Sequence, residues 1–216
     1  MFILPADDHR DERVATVRAW IAKANENDIW NTGSVKVLVI VHRMAARRLG
    51  FEQLYAALND DAPSAFKDGF MDATAWPIRP FHQFALPLAE AMANDQEFEA
   101  MTLLRKASPL LNRDLVPKAG VSALLAKLRT ASVELSSMLA KGSQATTRQV
   151  LEHVRDHQLI TLDPRFLSYL DMEAGKSADA NTQNGEEEAN REMEAMDRFL
   201  ACPAVEFWGY RTYIAE

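Results

Sequence analysis

The apolar positions of this chain follow two different rhythms. Phe2-Ile3-Leu4-Pro5-Ala6 reads as a short strand, and Asp7 or Asp8 can cap the helix expected from about residue 10 to residue 29. Val14, Val17, Trp20, Ile21 and Ala24 recur there at intervals of three and four, which makes one apolar stripe. Asn31-Thr32-Gly33-Ser34 then reads as a turn. Next comes Val35–Val41, an apolar run broken only by Lys36. Val35, Val37, Val39 and Val41 share one face, and Leu38 and Ile40 fill most of the other, so both faces call for cover, as in a parallel sheet. Strand, helix and strand within about 40 residues predict a βαβ unit with a right-handed crossover. Phe51, Leu54, Tyr55 and Leu58 carry the following helix on to about Asn59.

Beyond Asp60 helical spacing takes over. It predicts helices at about 63–70, 80–93, 96–106, 120–140, 146–157, 163–170 and 187–213, with turns near Trp76-Pro77, Ser108-Pro109, Pro117 and Gly142-Ser143. Pro203 should kink or restart the last helix, because it removes a backbone donor and clashes with the preceding turn. Residues 173–188 hold almost no large apolar side chain and read as an acidic, flexible loop. Two parallel strands alone do not make a stable sheet, so the pattern predicts a piece of something larger, with further strands supplied from outside the chain.

Composition narrows the class. The chain has 216 residues, of which 48% are hydrophobic and 25% charged, enough for one large core or two small ones. A single cysteine, Cys202, excludes an internal disulfide framework, and no apolar run reaches the roughly 20 residues that span a bilayer. The N-terminal residues lack the basic start of a signal peptide, so an intracellular, cytoplasmic protein without a membrane partner is expected. A net charge of −7 argues against a free-standing nucleic-acid binder, but the charge is unevenly spread. Residues 171–199 carry nine acidic against three basic side chains, whereas residues 102–148 carry eight basic against two acidic. A basic region therefore persists inside an acidic chain.

Candidate chemistry gathers at arginines. His42, Arg43, Arg47 and Arg48 fall at the C-terminal edge of the expected strand and the start of its helix, where open α/β sheets bind ligands and where guanidinium groups suit phosphate. Arg43 and Arg47 lie one helical turn apart; the alternative for this group is pairing with Glu52 or plain solvation. Arg105, Lys106, Lys127 and Arg129 in the basic region are candidates for DNA-backbone contact, which needs charge and no sequence reading. Lys127 and Arg129 are two apart and cannot share one narrow helix face. Gly175-Lys176-Ser177 imitates a phosphate loop, but Leu170 stands where its first glycine belongs. His153 and His157 have metal-ligand spacing without a third ligand nearby in sequence, so no metal site is expected. Cys202 has no neighbouring histidine and reads as a small buried residue. Trp76, Pro77, Pro80, Phe81 and Phe84 form an aromatic-proline corner that either stacks on bases or anchors the helical core, and Trp208, Tyr210 and Tyr213 read mainly as packing. No catalytic residue is assigned.

The order Phe2–Asp7, charged helix, VKVLVIVHRMAARRLGF, helical region and closing WGYRTYIAE resembles the later part of UvrD/Rep-like superfamily I DNA helicases. In that family the second RecA-like domain holds a hydrophobic strand ending in a Tyr-Arg or His-Arg pair, matched here by Val35–Val41, His42 and Arg43, and a large helical subdomain is inserted after it. The family's return motif, Thr-x-His-x-x-Lys-Gly-x-Glu-Phe, is not reached by Glu216. Walker A loop, magnesium-binding Asp-Glu pair and Asn-Tyr-Arg motif are absent from the sequence.

The resemblance thus implies a mainly α fold with a small α/β part: residues 1–59 as an N-terminal βαβ remnant of a RecA-like domain, and residues 60–216 as an all-helical insertion domain. It implies a segment of an ATP-dependent DNA helicase that is inactive alone. No cofactor is expected in this chain; ATP and magnesium belong to the intact parent. The implied partners are DNA and the remaining RecA-like domains of the same polypeptide. The alternative is a non-catalytic helical module for protein–protein interaction.

Overall fold

The computed structural model describes residues 9–31, 42–111, 120–171 and 186–215. Those residues fall into two units by contact, one up to Val41 and one from His42 onward. In the first, helix α1 (Arg10–Ala24) is followed by a 3-10 turn at Asp28–Asn31. Ala22 is its buried apolar residue, while Trp20, expected inside the stripe, is 58% exposed.

The second unit carries ten further α-helices among the described residues: α2 (His42–Leu49), α3 (Glu52–Asn59), α4 (Ser64–Met71), α5 (Leu86–Ala93), α6 (Glu97–Ala107), α7 (Val121–Met138), α8 (Thr147–Asp156), α9 (Pro164–Asp171), α10 (Glu186–Ala201) and α11 (Glu206–Ala215). Neither strand nor sheet occurs among the described residues, and the one β-type contact is an isolated antiparallel bridge between Thr146 and Pro203. The expected βαβ remnant is therefore corrected: the fold is mainly helical. The two segments read as strands, 2–6 and 35–41, lie outside the described residues. The physical reason for the correction is visible in α2. Its apolar face, which was expected to back a sheet, buries Ala45 and Ala46 where α2 meets α3 and α11.

Local signals place most helix ends. Gly50, at φ +76°, stops α2, and the Phe51 N–H returns 2.9 Å to the Ala46 carbonyl, a glycine-based C-terminal stop that splits the long helix expected to run on to Asn59. Thr146 and Gln149 form a reciprocal capping box at the start of α8. Pro87 has no N–H to give, and a widened π-turn at Phe81–Ala85 leads into α5. Pro203 separates α10 from α11, as its position predicts.

Helix α11 sits at the centre of the core. Phe207 stacks on Phe81 at 4.0 Å between ring centroids, and Tyr210 lies 4.7 Å from Phe70 and 5.9 Å from Phe51. The Tyr210 hydroxyl donates to the Phe70 carbonyl at 2.6 Å, which satisfies the only polar atom of a fully buried ring. At Gly209 the carbonyl oxygen of Leu49 comes so close that an added Cβ would lie 2.1 Å from it. Glycine costs helix propensity, and here it admits the end of α2 against α11.

The join between α11 and α3 is polar. Phe51 offers α3 no side-chain cap, and the buried Glu206 carboxylate takes the Leu54 N–H at 2.9 Å instead. Burial raises the Glu206 carboxyl above its ordinary 4.5, while hydrogen bonds from the Leu54 and Gln53 amides pull the other way. With the proton held more tightly folded than unfolded, the stability contributed by this group falls as pH rises from 4.5 through the raised folded value.

None of the described helices is long and apolar enough to cross a membrane.

Two substitutions test this core by thermal or urea unfolding. Glu206→Ala should cost about 1–3 kcal/mol, because buried amides lose their acceptor. Glu206→Gln should cost less and gain on the wild type as pH rises through that window; an unchanged difference across it would refute the burial argument. Gly209→Ala should destabilise by about 1–3 kcal/mol or more through the forced shift of α2.

Candidate functional site

Helix α2 presents opposite properties on its two sides. Ala45 and Ala46 are buried, whereas Arg43, Arg47 and Arg48 are exposed. The His-Arg pair at its start is held by protein partners. His42 Nδ1 lies 2.5 Å from the Tyr213 hydroxyl of α11, and the Arg43 guanidinium pairs with Asp60, just past the end of α3, instead of with Glu52. That carboxylate raises the Arg43 pKa through hydrogen bonding and charge. Arg47 and Arg48 form no ion pair among the described residues. They occupy the last turn of α2, where the helix dipole favours cations, and are open to a phosphate.

The second basic group is divided by its geometry. Arg105 and Lys106 are exposed in the last turn of α6 and flank a surface depression shared with Ser108, Pro109, Leu111 and Thr161. Arg129 of α7 pairs with Glu97 at 2.7 Å, at the other end of α6. Eight residues of helix separate Glu97 from Arg105, about 12 Å of rise, so the two ends form no single focus. Lys127 is exposed on α7. The basic side chains expected at a nucleic-acid backbone are therefore spread along these helices and not gathered in a pocket.

The remaining candidates resolve by burial. Trp76 packs between Phe66 and Phe166, with ring centroids 5.9 and 4.8 Å away, and the Arg165 guanidinium covers it at 4.4 Å. Phe81 and Phe84 are buried. The aromatic-proline corner is thus a core anchor joining α4 to α9, with its ring face already occupied. Trp208 donates from its indole N–H to the Leu139 carbonyl at 2.8 Å. The Gly175-Lys176-Ser177 stretch lies outside the described residues.

Cys202 is buried at the α10–α11 joint, its thiol donating to the Arg198 carbonyl at 3.2 Å. Burial, aided by the Glu206 charge, pushes it up to about 12. A thiol so protonated is no nucleophile at neutral pH.

One grouping emerges that the sequence reading missed. His153 and His157 of the α8 end stand beside Glu134 of α7. His153 and His157 show their spacing in the sequence, but Glu134 lies 19 positions before His153 on another helix, and only folding brings it to them.

Compared with protein-family models, curated proteins and solved structures, the chain matches none.

The buried thiol yields a direct check. In the native protein Cys202 should react with an aromatic disulfide reagent on the order of a thousandfold more slowly than in denaturant, as its thiolate fraction dictates. Equal rates would place the sulfur in contact with solvent.

Proposed function

We propose that the chain is a segment of an ATP-dependent DNA helicase, in which its helical part contacts the nucleic-acid backbone. The observation that carries this reading is the block Val35–Phe51, VKVLVIVHRMAARRLGF, whose basic half forms α2 with Arg47 and Arg48 outward and unpaired among the described residues. Exposed guanidiniums on a firmly packed helix fit a role in which phosphate is gripped without reading bases. Arg105, Lys106 and Lys127 add further exposed charge on α6 and α7. The spread of these groups along several helices fits an extended duplex better than a mononucleotide.

In this reading the intact cytoplasmic enzyme couples ATP hydrolysis, with magnesium, to movement along single-stranded DNA. The ATPase motifs belong to other parts of that polypeptide, and this chain alone turns over no ATP. Arg43 has a positioning role here, since Asp60 already holds it.

A second reading, a non-catalytic helical module that binds another protein, has one observation in its favour. Phe98, in the first turn of α6, is 88% exposed, far beyond the other large apolar side chains of the helical unit.

A salt titration separates the two. The chain should bind a fluorescent forked DNA at low ionic strength and lose affinity steeply as salt rises. Arg47→Ala with Arg48→Ala should weaken binding and flatten the salt slope by about 2, one for each lost phosphate contact. Absence of binding at low salt would overturn the DNA reading, and a normal slope in the double variant would remove α2 from the interface.

A further inference from the structure

Three side chains outside the proposed DNA surface form a ligand set. Glu134 projects from α7, and His153 and His157 follow one another by one turn at the end of α8, with ring centroids 4.4 Å apart. Glu134 Oε2 lies 4.0 Å from His153 Nδ1 and 3.9 Å from His157 Nε2, and the three donor atoms lie within 4.8 Å of one another. Ligands of a tetrahedral zinc ion, with bonds near 2.0–2.1 Å, stand about 3.4 Å apart, so small side-chain rotations bring this set to bonding distance.

The ring orientation of His153 suits a metal. His153 Nε2 lies 2.8 Å from the Ala131 carbonyl, which can only accept, so Nε2 donates there and Nδ1 is the ring nitrogen that faces Glu134. A backbone carbonyl holding the distal nitrogen is the usual outer support of a metal-bound histidine. His157 Nδ1 is buried without a hydrogen-bond partner among the described residues, so no hydrogen bond fixes that end of the ring. Side-chain exposure rises from 11% at His153 through 34% at His157 to 54% at Glu134, which leaves an open side from which an ion enters and water completes the coordination.

We propose that Glu134, His153 and His157 form a binding site for a divalent transition-metal ion, zinc foremost. Two imidazoles and one carboxylate suit zinc, and also copper and nickel, whereas magnesium and calcium require more oxygen ligands than this cluster provides. The ion bridges α7 and α8, which packing and the His153–Ala131 hydrogen bond already join. This site is independent of the helicase reading, because none of its residues belongs to the DNA surface.

Zinc binding is measured on the full tag-free chain by competition with a chromophoric chelator, with magnesium in excess. One zinc per chain should bind, and Glu134→Ala and His157→Ala should each weaken it by at least about tenfold, while His9→Ala leaves it unchanged. Zinc should also raise the unfolding temperature saturably in the wild type and not in the Glu134→Ala/His157→Ala double variant. In the unmodified protein, zinc should shift or broaden the imidazole proton resonances of His153 and His157 and leave those of His9, His42 and His82 in place. Loss of stoichiometric binding, unchanged affinity in the double variant, or perturbation of other histidines in place of these two would overturn the site.

Discussion

Helix α3 starts without a cap of its own, and the carboxylate that completes it comes from Glu206, 152 positions further along the chain. The rest of the helical unit depends on this contact. A buried amide with no acceptor is costly, so α3 is fully satisfied only when α11 is seated. Seating α11 also delivers Tyr210 to the Phe70 carbonyl, Phe207 to Phe81, and Gly209 to the end of α2. Polar capping and aromatic packing are thus made in one step. Elements from the two ends of the unit close on each other, and α4, α5 and α10 join the same core.

The same closure governs the candidate functional groups. Tyr213 of α11 holds His42, Asp60 after α3 holds Arg43, and the buried alanines of α2 leave Arg47 and Arg48 facing outward. An exposed cation gains function from a rigid support, because the helix beneath it sets where it meets a phosphate. The α7–α8 hairpin offers a second rigid support. Its turn brings a carboxylate opposite two histidines that share one helix face, and neither helix alone would contain the set.

The helices after Asp60 were readable from spacing alone. Periodicity of three to four marked their faces, and Pro203 and Gly142 marked their breaks. The failures came where sequence shows a preference but not its partner. Val35–Val41 and the helix behind it suggested a sheet, but the buried side of α2 is covered by α3 and α11. A small apolar face looks the same whether strands or helices cover it. The apolar rhythm continues through Phe51 and Leu54 and hides the stop at Gly50; the left-handed backbone there, not hydrophobicity, ends the helix. Glu206 and Glu134 were invisible for a related reason. Their partners are distant in sequence, and neither charge pattern nor spacing announces a contact made only by folding.

Residues from His42 onward pack as a helical unit whose described core is helical and closed by α11, and they are expected to fold without residues 1–41. Circular dichroism of a chain beginning at His42, followed through thermal unfolding, tests it most directly. A strongly helical spectrum and a single cooperative transition, close to that of the helical unit in the full chain, are the expected result. A fragment that is unfolded, or that melts without cooperativity until residues 1–41 are restored, would contradict this and show that the helical unit depends on the N-terminal segment.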